Sequence, residues 1–127
     1  MKSKSIIAFL LLLSSSFVQT TFASDKLLVK NLKVEYHENP LGIDVEEPRL
    51  SWILEGEGRN RSQSAYQIVV ASTKQNLDAG DWDVWNSEKV NSDATNQIVY
   101  DGTMLQSGTP YYWKVKVWDE KGLASDW

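Results

Sequence analysis

The chain has 127 residues and no cysteine, and its 17 acidic against 13 basic side chains give a net charge of −4. A net negative surface excludes the cationic footprint that nucleic acid or an anionic membrane demands. Without cysteine no disulfide can brace the fold, so packing alone must hold it.

The first 23 residues are expected to lie outside the fold. Lys2 and Lys4 supply a positive start, Ile6 to Leu13 an apolar run, and Thr21-Phe22-Ala23 a small-x-small cleavage site, the layout of a secretory signal. The apolar run is too short to span a bilayer core of about 30 Å. No Cys follows it to carry a lipid. The expected mature chain is therefore one domain over 24–127, exported to a bacterial periplasm or the extracellular space, with no membrane span and a balance of 11 basic to 17 acidic side chains.

Strand-like segments then recur with turns between them. A first strand is expected over about 28–36, with Leu28, Leu32, Val34 and Tyr36 as its inward set. Glu38-Asn39-Pro40-Leu41-Gly42 is a turn, and Glu47-Pro48 closes the loop in extended geometry. Over 49–54, Leu50, Trp52 and Leu54 alternate with Arg49, Ser51 and Ile53. After a polar loop, 65–72 points Tyr66, Ile68 and Val70 inward, and Thr73–Ala79 has room for one short helical turn. An edge segment over 83–90, a strand over 97–100 and a long strand over 111–119 follow. Gly122 then turns the chain into 124–127, the opening of a strand that the sequence carries incompletely, as if something longer continued from it. Short alternating strands with frequent turns predict an all-β, immunoglobulin-like (fibronectin type III-like) antiparallel sandwich of about seven strands, the last one truncated.

Two local patterns sharpen this reading. Leu105-x-x-Gly108-Thr109-x-Tyr111 resembles the corner that enters the penultimate strand of fibronectin type III domains, where a Tyr bonds back to the loop backbone. Trp52 resembles the core Trp of those domains, and its indole N–H needs a buried partner. Trp52, Tyr66 and Tyr111 thus read as core.

A closer resemblance emerges when the segments are taken together. Val34-Glu35-Tyr36, Glu38-Asn39-Pro40-Leu41-Gly42-Ile43-Asp44, Pro48-Arg49-Leu50-Ser51-Trp52, the run Ala65–Ser72, Trp85-Asn86-Ser87-Glu88-Lys89-Val90, the run Tyr111–Asp119 and Gly122-x-x-Ser125-x-Trp127 stand in an order similar to the N-terminal module of secreted bacterial α-L-rhamnosidases, glycoside hydrolase family 78. The resemblance implies that this chain is a non-catalytic accessory module. Further β domains and an (α/α)₆ catalytic barrel of an inverting enzyme would follow in the same polypeptide, and those downstream domains would be its first partners. It carries over no catalytic, cofactor or metal residue, because no position here matches the family's catalytic motifs.

The residues present agree with that absence. An inverting glycosidase needs two carboxylates about 6.5–9.5 Å apart, one with a raised pKa. Asp44, Glu46 and Glu47 fall in one polar loop, and Asp78, Asp81 and Asp83 in another. The second trio does not follow the spacing of a calcium loop. His37 is the only histidine, too few for a histidine zinc site, and no G-x-S-x-G supplies a nucleophile elbow.

Six tryptophans are many for one small core. Trp52 and Trp113 face inward by phase. Tyr112 and Trp118 share the opposite face of the last long strand, and Trp82 and Trp85 lie near an edge. These four are candidates for docking a neighbouring domain, or for stacking a rhamnose-containing carbohydrate. A self-contained interaction or adhesion module is the remaining alternative.

Overall fold

The computed structural model describes residues 25–41 and 45–127. The signal segment and Asp44 lie outside these residues. Among these residues there are six strands and one short helix, in the order β1 (Leu28–Val34), β2 (Arg49–Glu55), β3 (Gln63–Ala71), α1 (Lys74–Ala79), β4 (Trp85–Asn86), β5 (Ile98–Val99) and β6 (Tyr112–Asp119). They form two antiparallel three-stranded sheets, β1-β2-β5 and β4-β3-β6. The expected truncated last strand is the segment after β6, which contributes a single bridge between Trp118 and Ala124.

The core lies between the sheets. β2 turns Leu50 and Trp52 inward and leaves Ile53 outside, as the alternation requires. β3 turns in Tyr66, Ile68 and Val70, and β6 adds Val115 and Val117. Trp52 meets Tyr66 edge-on, with ring centroids 5.4 Å apart at 64°, an arrangement aromatic quadrupoles favour. Fully buried aliphatic side chains of this kind each stabilise a fold by roughly 1.5–3 kcal/mol relative to exposure.

β1 departs from simple alternation. Leu27 and Val29 pack on the core while Leu28 is exposed, and the register against β2 shifts between Lys30 and Lys33. Asn31 takes a left-handed φ of 51° in that bulge, which returns Leu32 and Val34 to the core. Tyr36 lies beyond the strand, exposed at a φ of 66°. Leu28 and Tyr36 therefore do not belong to the inward set. The extra residue of a bulge reverses the phase on either side of it.

The structure adds a second, smaller apolar layer. The outer face of β3 buries Val69 and Ala71 beneath Leu77 of α1, with Trp82 packed against them. Thr73 caps the helix, its hydroxyl accepting from the Asn76 N–H at 3.0 Å. Gly80 ends it at a φ of 82°, where a side chain would be strained. Among the described residues no helix is long and apolar enough to cross a membrane.

Candidate functional site

The inner polar contacts are structural. Trp52 Nε1 donates to Gln63 Oε1 at 3.1 Å. Gln63 Nε2 in turn donates to the carbonyls of Ser92 and Ala94 at 3.0 and 2.9 Å. One buried amide thus satisfies the indole and ties down the loop before β5. The Tyr111 hydroxyl accepts from the Gln106 N–H at 2.8 Å, the corner bond expected from the sequence. Trp113 packs half-buried against the inner core.

Of the four candidate aromatics, Trp85 is half-buried on β4 and packs against that core, 5.0 Å from Tyr100 in a T-shaped contact. Gly102 lies so close that a Cβ there would fall 2.6 Å from the Trp85 Cβ. The other three belong to the outer face of β4-β3-β6. On β6, Tyr112, Lys114, Lys116 and Trp118 stand opposite Ala71, Val69, Gln67 and Ala65 of β3. Lys89 Nζ sits 4.7 Å from the Trp118 ring centroid. Lys116 and Lys114 reach over Trp127 at 4.4 and 5.1 Å. Trp127 leans on Trp82 at 5.3 Å, and Trp82 Nε1 donates to the Leu77 carbonyl at 3.2 Å. An ammonium or a second ring thus already occupies these indoles. Tyr112 is the most open of the four, and the face as a whole is cationic and aromatic.

Four carboxylates, Asp83, Glu35, Asp119 and Glu120, are bonded into the fold. Asp83 accepts from the hydroxyl and, at 2.9 Å, from the N–H of Ser72. Those two bonds hold it below the usual carboxylate range. Glu35 is lowered by its bonds to the Arg49 guanidinium and the Arg49 N–H. The largest influence on Asp119 is burial, which pushes its carboxyl up. The N–H groups of Leu123 and Lys121, each at 2.8 Å, and the Arg61 charge outweigh it, so Asp119 also ends below its ordinary value. Glu120 is lowered by its own N–H and that of Ser62. All four move down, whereas a glycosidic acid must move up to hold its proton near neutrality.

Asp78 on α1 and Asp81 just after it are exposed. Glu46 and Glu47 border a cavity of about 260 Å³ with Tyr100, Asp101, Gly102 and Met104. His37 is an exposed turn residue bridged to Val34. Among the described residues no group of three His, Asp or Glu stands close enough to hold a metal ion.

Comparison with known proteins agrees with this geometry. The profile of the Rha78A-like, N-terminal immunoglobulin domain family matches residues 29–127. An alpha-L-rhamnosidase of Formosa agariphila is 46% identical over 110 residues, which cover 87% of this chain and 11% of that protein. One of Streptomyces avermitilis is 46% identical over 101 residues, covering 80% of this chain and 10% of the relative. The crystal structure of the Streptomyces avermitilis alpha-L-rhamnosidase complexed with L-rhamnose superposes with a TM-score of 0.76 at 45% identity, over 80% of this chain and 10% of that one. The alpha-L-rhamnosidase from Dictyoglumus thermophilum gives 0.75 at 38% identity, over 77% and 11%. The chain thus spans about a tenth of the length of the relatives it matches.

Proposed function

Because the chain belongs to the family of Rha78A-like N-terminal immunoglobulin domains, we propose that it serves as the non-catalytic front module of an exported α-L-rhamnosidase. The parent would hydrolyse terminal α-L-rhamnose with domains that this chain does not contain. The observation that carries the reading is the match over 29–127 to a tenth of much longer rhamnosidases. The downward shift of Glu35, Asp83, Asp119 and Glu120 supports a module without hydrolytic chemistry of its own.

In this reading the outer face of β4-β3-β6 docks a neighbouring domain of the same polypeptide. Tyr112 and Trp118 supply the aromatic contact, and Trp82 backs the face through Trp127. A cationic, aromatic surface suits an acidic partner face. Export rests on the charged start and apolar run of the first 23 residues.

The test is an assay of the purified chain on an aryl α-L-rhamnoside. Turnover no greater than a no-protein control is expected; hydrolysis that survives repurification would overturn the accessory role.

A further inference from the structure

The outer face of the other sheet carries a groove of about 400 Å³. Asn31, Tyr36, Ser51, Ile53, Thr95 and Asn96 line it, with Lys33 at its side. Neither the docking face nor the inner core uses these side chains.

Tyr36, just beyond β1, is 55% exposed and Ile53 of β2 53%, so the groove presents two open apolar surfaces. The Tyr36 ring is nevertheless held. The Arg49 guanidinium lies 5.5 Å from its centroid, and Gln97 Nε2 donates to its hydroxyl at 3.3 Å. Around this fixed ring stand two amides, two hydroxyls and one ammonium. None of the side chains of Asn31, Lys33, Ser51, Thr95 and Asn96 is bonded or ion-paired to another described residue. No carboxylate lines the groove, and Glu35, next to Tyr36 in sequence, is bound by Arg49.

The backbone here is shaped at a cost. Asn31, Glu35, Tyr36 and Gln97 all take left-handed φ angles, of 51°, 49°, 66° and 52°. The β1 bulge sits at one wall. Strained residues and bulges gathered at one concave surface mark a place where side chains have been aimed.

We propose that this groove is a carbohydrate subsite that takes one pyranose unit of an oligosaccharide. The apolar face of the sugar would lie on Tyr36 beside Ile53. Asn31, Ser51, Thr95 and Asn96 would exchange hydrogen bonds with its hydroxyls, and Lys33 would add a donor. An apolar floor with a few convergent, unspent polar groups is the make-up of such sites. The site goes beyond the accessory-module reading and borrows from it only the first choice of sugar.

The experiment is an amide NMR titration of the full chain with a rhamnogalacturonan oligosaccharide and, separately, with cellohexaose. Saturable shifts are expected at Asn31, Tyr36, Ser51 and Asn96, with Tyr112 and Trp118 silent. Tyr36→Leu and, as an exposed control on folding, Asn96→Ala should each weaken binding up to about tenfold, the scale of one aromatic contact or hydrogen bond. Tyr36→Phe should bind like the wild type. Cellohexaose binding alone would support the sugar site while counting against the rhamnosidase link. No saturable shift with either sugar, or shifts confined to Tyr112 and Trp118, would overturn the proposal.

Discussion

Gln63 shows how one polar side chain can organise a core. Its amide is buried, accepts the Trp52 indole proton and donates to two loop carbonyls. Replacement by Leu preserves much of the volume but leaves a buried donor and two acceptors without partners. A buried polar group deprived of its partner costs about 1–3 kcal/mol. Gln63→Leu should therefore lower the thermal midpoint by at least about 5 °C, since 1 kcal/mol moves a domain of this size by roughly 4–8 °C. Chemical or thermal melts followed by Trp fluorescence would read this directly. An unchanged midpoint would mean that water takes over all three bonds. The need for such a partner was legible from Trp52, because a buried indole must donate. Which residue would supply it was not. Alternation from Tyr66, Ile68 and Val70 would turn Gln63 outward, and the register shift between Gln63 and Ala65 breaks that phase, so the buried amide carries no periodic signal.

At the scale of elements, the long alternating strands were plain in the sequence and the irregular ones were not. β2 and β6 follow their alternation because each turns one continuous face to the core, and the central part of β3 keeps the same inward set of Tyr66, Ile68 and Val70 although its outer face is buried as well. β1 hides a bulge at Lys30–Lys33, where no glycine marks the left-handed residue and Asn31 takes that role instead. The groove beside it is hidden for a related reason: Tyr36 continues the inward row of Leu32 and Val34 by phase, but the chain leaves β1 at Val34 and the left-handed turn at Glu35 and Tyr36 carries the ring outside. α1 was legible only as a possible turn. A helix of six residues has no stability alone, so its existence depends on Leu77 and Trp82 meeting Val69 and Ala71 across the chain. Trp82→Ala should therefore loosen this layer more than the sandwich. Because Trp82 is only half-buried, the expected loss is about 2–3 kcal/mol, under the 3–5 typical of a fully buried Trp. Amide exchange should accelerate through α1 while β3 and β6 stay protected. Equal acceleration throughout would make the layer part of one cooperative core.

At the scale of the whole molecule, Arg61 joins segments that are far apart in sequence. Its guanidinium, 11% exposed, reaches Asp25 at 2.8 Å, Asp119 at 3.4 Å and Glu120 at 3.0 Å. The start of the described chain, the loop before β3 and the turn after β6 are thereby pinned at one end of the sandwich. Breaking a largely buried pair by removing one partner is more damaging than losing an exposed one. The consequence for pH follows from the direction of the shifts. Asp119, like Asp83, titrates below the ordinary 3.8, and Glu35 and Glu120 titrate below 4.5. The folded state therefore holds its protons less readily than the unfolded chain. The stabilisation is complete above the unfolded values and fades as pH falls through them toward the folded ones. The thermal midpoint should stay nearly flat from about pH 7 to pH 5 and then fall steadily toward about pH 2. Asp119→Asn keeps a carbonyl oxygen for the Lys121 and Leu123 N–H groups but removes the charge that Arg61 faces. It should lower the midpoint at neutral pH and flatten the acid slope, so that mutant and wild type converge as pH drops. Parallel curves would place the acid sensitivity in Glu35, Asp83 and Glu120 instead, and Glu35→Gln and Asp83→Asn would then be the variants that flatten it.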